Sequence, residues 1–165
     1  MARRRSKRQK DNGLQIIGIF IFFLCLRVFL LFFSARVARY ADVFCIFLAF
    51  IIFRLGLSGS PLLIWAWIGG LAEDLFTGTI LGINALSKLM LAEAAQLLGR
   101  KFEIGNVTLQ IPLAILLFAA DTTIKYIIAS LLTKGGIDQS LLASTLLVRV
   151  PVNTIGFLAL YAILR

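Results

Sequence analysis

Residues 14–33 read LQIIGIFIFFLCLRVFLLFF, and this stretch decides the class of the protein. It is twenty residues long, and Arg27 is its only charged residue. An α-helix of about 20 apolar residues crosses the roughly 30 Å hydrocarbon core of a bilayer. No small-residue cleavage site closes the stretch, and further apolar runs follow it. We therefore expect a retained first membrane span rather than a signal peptide.

A basic block precedes this span. The tail of residues 1–12 carries six of the basic residues behind the net charge of +9, namely Arg3, Arg4, Arg5, Lys7, Arg8 and Lys10. Such a block holds a terminus in the cytoplasm and attracts anionic lipid headgroups, at about 1 kcal/mol per residue. We expect both roles here, with a specific acidic partner as the alternative. We expect no nucleic-acid partner.

The composition extends the membrane assignment to the whole chain. Of its 165 residues, 60% are hydrophobic and 15% are charged, and the mean hydropathy is +0.95. Soluble domains carry roughly 25% charged residues. No polar stretch is long enough for a second domain, so residues 13–165 are predicted to form a single transmembrane helical domain.

The spacing of apolar runs and breaks predicts an all-α bundle of about six transmembrane helices. Their expected bounds are 13–33, 41–57, 61–76, 80–98, 108–132 and 140–164. Pro61 follows a Ser-Gly-Ser break and is suited to start the third helix, whereas Pro151 is expected to kink the sixth. The third helix is shorter than a straight span, so we expect it to be short or half-inserted.

The distribution of basic loop residues predicts the orientation. With the N-terminus inside, Arg54, Arg100, Lys101 and Arg165 fall on or near the cytoplasmic side, whereas Arg36, Arg39 and Lys134 fall outside. This bias agrees with the positive-inside rule. Both termini of this multi-pass protein are therefore expected in the cytoplasm.

Ionisable residues within the predicted spans are the natural candidates for function, because each is costly in lipid unless it is paired or wet. They are Arg27, Glu73, Asp74, Lys88, Glu93, Asp121, Lys125 and Arg149. Asp121 and Lys125 can pair along one helix face, Glu73 and Asp74 can reach headgroups, and Arg27 can extend towards an interface. Lys88, Glu93 and Arg149 fall nearer the middle of their spans and are expected to face the bundle interior or a water-filled crevice. Structural pairing and a functional pocket both remain open.

No catalytic or metal-binding pattern emerges. The chain has no His, and its two cysteines, Cys25 and Cys45, lie in apolar runs without ligand spacing. Glu73 and Asp74 are adjacent, so on a helix they point about 100° apart and do not form an acid–base pair. We expect no catalytic residues, no metal, no cofactor and no enzymatic activity.

Residues 70–86, GLAEDLFTGTILGINAL, are the most specific stretch of the chain. They resemble the signature of the MreD family of rod shape-determining membrane proteins, roughly G-h-h-x-D-h-x-x-x-x-h-L-G-h-x-A-L with h apolar. The matching residues are Gly70, Asp74, Leu81, Gly82, Ala85 and Leu86, and Asp121 in the fifth predicted helix also fits the family. The resemblance covers about residues 41–165, and the dense basic tail departs from it.

The resemblance implies a non-enzymatic scaffold in the inner membrane of a rod-shaped bacterium. Proteins of this family bind MreC and help couple MreB filaments to peptidoglycan synthesis by a RodA-type polymerase and a class B penicillin-binding transpeptidase. Gly70, Asp74 and Gly82 would shape the helix-packing or partner surface. The family also looks like the substrate-binding membrane subunit of energy-coupling-factor transporters.

Two other functions remain as alternatives. A substrate-binding subunit of a vitamin-type transporter would need a polar, aromatic-lined cavity near the outer face, whereas the predicted outer loops are short. Trp65 and Trp67 look more like interfacial anchors than a ligand cage. A membrane enzyme acting on lipid-linked substrates would need paired carboxylates or His at an interface, and His is absent.

Overall fold

The computed structural model describes residues 2–33, 40–78, 80–99, 107–132 and 139–163. These ranges contain six α-helices and no strand. The helices are α1 (Ala2–Phe33), α2 (Val43–Phe53), α3 (Ser60–Thr77), α4 (Ile83–Gly99), α5 (Val107–Leu132) and α6 (Gln139–Ile163). The all-helical prediction is confirmed for this part of the chain.

The chain divides into two compact units, Met1–Arg39 and Tyr40–Arg165. The first contains α1, which begins at Ala2 and therefore continues through most of the predicted basic tail as one helix. Its apolar part, Gly13–Phe33, matches the predicted first span. The side chains of the basic block lie outside the described residues, so its lipid contact stays a prediction.

Three helices are long and apolar enough to cross a membrane. They contain the segments Gly13–Phe33, Leu109–Leu132 and Gln139–Ile163. At a rise of about 1.5 Å per residue, each exceeds the roughly 30 Å of the hydrocarbon core. The helices α5 and α6 continue through Pro112 and Pro151 respectively.

The helix α2 differs from the predicted second span. It covers Val43–Phe53 rather than 41–57, and its 11 residues are about 16 Å long, half the thickness of the hydrocarbon core. Every residue from Val43 to Ile52 is buried. The helix packs against α3, α4, α5 and α6. Its uniform apolarity therefore reflects burial inside protein, because a helix that is hydrophobic all round is enclosed on every side by protein or by lipid.

The second unit is built around α2, and α3 and α4 form an antiparallel hairpin beside it. Gly59 precedes α3 with φ of 72°, and Pro61 lies in the first turn, as the sequence predicts. Gly78 ends α3 in the left-handed conformation, with φ of 61°, and its N–H donates to the carbonyl of Asp74 at 3.1 Å. This glycine C-cap reverses the chain within a few residues, which brings the start of α4 against the end of α3.

Candidate functional site

Five charged side chains meet inside the second unit: Asp42, Glu73, Lys88, Asp121 and Lys125. Lys88 Nζ lies 3.2 Å from each oxygen of the Asp42 carboxylate and 3.1 Å from Glu73 Oε2. Lys125 Nζ lies 2.7 Å from Asp121 Oδ2 and also binds Asp42. The side chains are at most 10% exposed. We call these five residues the ion cluster.

Asp42 is the centre of the cluster because of its place in the chain. It is the N-cap of α2, where its Oδ1 accepts a hydrogen bond from the backbone N–H of Cys45 at 2.8 Å. Its own N–H donates to Asn153 Oδ1 in α6 at 2.8 Å. One aspartate therefore fixes the start of α2 and joins it to lysines from α4 and α5.

The ion cluster lies near the middle of the candidate spans. Asp121 is close to the centre of Leu109–Leu132, and Asn153 is close to the centre of Gln139–Ile163. Asp121 belongs to the cluster and Asn153 binds the backbone of Asp42, so α2 begins at this level. Charges at such depth are tolerated only when they pair with one another and their remaining hydrogen-bonding capacity is used. Ser87 contributes one such bond, donating from Oγ to Asp121 Oδ1 at 2.7 Å.

The cluster combines three carboxylates with two ammonium groups, a formal sum of −1. Sγ of Cys45 and carboxylate oxygens of Asp42 and Asp121 lie within 4.8 Å of one another, a spacing that a metal ion could use. Lys88 and Lys125 nevertheless bind Asp42, and Lys125 binds Asp121 too. The lysines thus already supply the positive charge that a metal would bring, so the arrangement fits an ion-pair network better than a metal centre.

The structure confirms some of the predicted placements of charge and corrects others. The Asp121–Lys125 pair and the interior position of Lys88 are confirmed. The prediction that Glu73 and Asp74 reach headgroups is wrong, because both are buried between helices.

Three further charged residues were also given expected positions. Glu93 was expected to face the bundle interior or a water-filled crevice; it is exposed, so the interior placement is wrong. Arg149 is half-buried, and Arg27, which was expected to extend towards an interface, is 3% exposed.

Asp42 is the functional candidate that the sequence reasoning missed. The signal was present, because an Asp directly before an uninterrupted apolar run has the pattern of a helix N-cap. Reading the helix as starting at residue 41 placed this carboxylate inside a span rather than at its cap.

A second polar arrangement explains the 70–86 motif. The Asp74 carboxylate accepts hydrogen bonds from the backbone N–H groups of Gly82 at 2.8 Å, Asn84 at 3.0 Å and Ala85 at 3.4 Å. The side-chain amide of Asn84 adds a bond at 2.8 Å. These backbone groups lie at the start of α4, where N–H donors lack helical partners and the helix dipole favours a negative charge. Asp74 therefore ties the end of α3 to the beginning of α4.

Gly70 brings the same two helices into backbone contact. A Cβ at this position would lie 2.3 Å from Ala85 Cα and 2.7 Å from the carbonyl oxygen of Asn84. No side chain fits there, so the close approach that the motif predicts at Gly70 is made by this chain's own α4. We call Gly70, Asp74 and Ala85 the hairpin lock.

The other motif residues occupy different environments. Gly82 has φ of 104°, a conformation that favours glycine, in the turn before α4. Leu81 and Leu86 are exposed, by 68% and 49%. Asp121 belongs to the ion cluster. The motif therefore combines an internal lock with side chains on the surface of the bundle.

Comparison of the chain with protein-family models, curated protein sequences and solved structures gives no match.

Replacing Gly70 by Ala tests the hairpin lock, and the same replacement at the adjacent Gly69 is the control. We expect Gly70→Ala to lower the free energy of unfolding by about 1–3 kcal/mol, because the new methyl group would overlap backbone atoms. At Gly69 the nearest atom to an added Cβ is Phe44 Cδ1 at 3.7 Å, an ordinary contact. Gly69→Ala should therefore change stability by less than about 1 kcal/mol. Unfolding in detergent measures the change in stability for both variants, and equal losses of stability would contradict the hairpin lock.

Asp74→Ala should destabilise the bundle by about 2–3 kcal/mol, because it removes the acceptor for three backbone donors at the start of α4. Asp74→Asn keeps one side-chain oxygen and should have an intermediate effect. Amide hydrogen exchange at Gly82 and Asn84 should speed up in the Ala variant before the rest of α4 does. Unchanged exchange at these two amides would show that the carboxylate does not hold them.

Lys88→Met should destabilise the protein by about 3–5 kcal/mol, since it leaves the carboxylates of Asp42 and Glu73 buried with one fewer counter-charge. The double variant Lys88→Met/Glu73→Gln restores the original charge sum of the cluster. We expect it to recover part of the loss when unfolding of the two variants is compared. A double variant less stable than the single one would refute a net-charge origin for the effect.

Proposed function

We propose that this chain is a non-enzymatic membrane scaffold of the bacterial cell-elongation machinery, similar to the MreD family, and that it binds MreC. The observation that carries this proposal is the hairpin lock. Three residues of the 70–86 motif, separated by up to fifteen positions, serve one interaction between α3 and α4. Contacts of this kind fix the shape of the α3–α4 hairpin and carry out no reaction.

The ion cluster supports the same reading. Its charged groups pair with one another, and Ser87 donates a hydrogen bond to Asp121. Asn153 accepts a hydrogen bond from the backbone of Asp42 and so joins it to α6. Sliding one of these helices along another would separate the paired groups and leave buried charges without partners, so the network favours this arrangement of the helices. A scaffold requires this property, since its partners recognise a surface whose shape must not vary.

In this proposal the chain lies in the bacterial inner membrane with about six helices and both termini in the cytoplasm. The short helices α2, α3 and α4 complete the second unit beside α5 and α6. The basic block contacts anionic lipids. MreB filaments, a RodA-type polymerase and a class B penicillin-binding transpeptidase are reached directly or through MreC, and nucleic acid is not a partner.

The alternative is a substrate-binding membrane subunit of a vitamin-type transporter, of the energy-coupling-factor kind. One observation favours it: α2 is a half-length helix whose N-terminus lies at the middle of the spans, and discontinuous helices of this type often form transport sites. Against it stands the pairing of the charges at that terminus, which bind one another. We therefore prefer the scaffold.

Purification of the tagged protein from its native host in a mild detergent, followed by mass spectrometry, tests the proposal. We expect MreC to co-purify, and the wall synthases to accompany it in smaller amounts. A tagged membrane protein of similar abundance from another complex is the control. Recovery of a transport ATPase and its coupling subunit in place of MreC would overturn the scaffold in favour of the transporter.

A further inference from the structure

Glu93 is an exposed carboxylate on the outer face of the bundle. Of the acidic side chains that the structure describes, it alone is exposed. It lines an open groove of about 520 Å³ between α3 and α4, and among the described residues that line this groove it is the only charged one. The remaining lining residues are Leu63, Leu89, Met90, Ala94 and Leu97.

The depth of Glu93 follows from its neighbours. Ser87 binds Asp121 near the centre of the Leu109–Leu132 segment. Glu93 lies six residues further along α4, about 9 Å from that level at 1.5 Å per residue. Half of the hydrocarbon core is about 15 Å thick, so this residue lies within it. Ala94, its neighbour in sequence, shares an apolar pocket with Leu113 and Leu116 of α5, which also lie within the candidate span.

The Glu93 side chain is poorly placed to reach headgroups. Side chains on a helix lean towards its N-terminus, and the N-terminal direction from Glu93 leads towards Ser87 and the middle of the membrane. A glutamate is also shorter than the lysine and arginine side chains that extend to an interface. Its carboxylate therefore needs a positive charge or hydrogen-bond donors at its own depth.

Glu93 belongs to a regular stripe on α4. Leu86, Met90 and Leu97 are exposed by 49%, 50% and 61%, and together with Glu93 they follow steps of four, three and four residues. This is the seam spacing by which one helix packs along another. Exposed leucines alone would be ordinary lipid contacts. A carboxylate at the third position of this stripe is not an ordinary lipid contact.

We propose that the α4 stripe docks one membrane-crossing helix of a partner protein, which places a Lys or Arg opposite Glu93. The negative charge of Glu93 favours a basic helix over a lipid chain or a second copy of α4. A lipid acyl chain offers no counter-charge, and a second copy of α4 would bring another carboxylate. The inference rests on the proposed function, in which the partner is MreC and the docked helix is its single membrane-crossing helix.

Photo-crosslinking from defined positions in the full-length protein, in native membranes, tests the docking surface. A photoreactive residue at Met90 or Leu97 should crosslink to the membrane-crossing helix of the partner protein. The same residue at Leu147 of α6, which is 76% exposed, is the control and should not. Crosslinks to lipid alone, to α1 of the same chain or to a second copy would overturn the inference. So would equal crosslinking from Leu147.

A charge reversal separates this inference from the proposed function. Glu93→Lys should reduce the recovered partner about 5- to 30-fold, the ratio expected for losing an interhelical polar contact of 1–2 kcal/mol. Glu93→Gln should lose less, and exchanging the partner's basic residue for Glu should restore binding to Glu93→Lys. Undiminished recovery of MreC with Glu93→Lys removes the docking surface but leaves the scaffold intact. Crosslinking of a different basic helix at Met90 and Leu97 keeps the surface and removes MreC.

Discussion

The carboxylate of Asp42 is the interaction on which the bundle depends. It binds Lys88 from α4 and Lys125 from α5, and the backbone of the same residue binds Asn153 from α6. Glu73 of α3 joins through Lys88. All five helices of the second unit therefore meet at one buried aspartate. In lipid the hydrophobic effect does not drive helices together, so polar contacts and close packing decide how they are arranged.

The two other distinctive features of the bundle follow from this constraint. Because Asp42 caps α2 at the level of the span centres, α2 occupies only half of the bilayer thickness and is enclosed by its neighbours. Because Lys88 must reach Asp42 and Glu73 together, α4 has to lie close against α3. Gly70 permits that approach and Asp74 fixes its register through the first N–H groups of α4. The ion cluster and the hairpin lock thus hold the same pair of helices at two levels.

Much of this architecture was predictable from the sequence, and the failures have identifiable causes. The apolar runs, the Gly59–Pro61 break and the Gly78 turn predicted the order of the helices. They also predicted the helix bounds to within four residues, except at the start of α1, which begins at Ala2. The 3.6-residue period predicted the Asp121–Lys125 pair, which is local in sequence. Contacts such as Asp42 to Lys125 span 83 positions, and no local pattern encodes them. Periodicity also cannot distinguish whether lipid or protein surrounds α2. Glu93 was expected in the interior or a crevice because it lies near the middle of its span, and position along a span does not determine which face of α4 is outermost.

The most direct measurement is the distance between Lys88 and Asp42 in the protein reconstituted in lipid bilayers. Solid-state NMR with ¹⁵N-labelled lysine and ¹³C-labelled aspartate reports the dipolar coupling between each ammonium nitrogen and nearby carboxyl carbons, and the Lys88→Met variant assigns the signal. We expect a coupling that corresponds to about 3–4 Å, the separation of a hydrogen-bonded ion pair. If the Lys88 nitrogen shows no coupling to any aspartate carboxyl carbon, Asp42 does not organise the bundle.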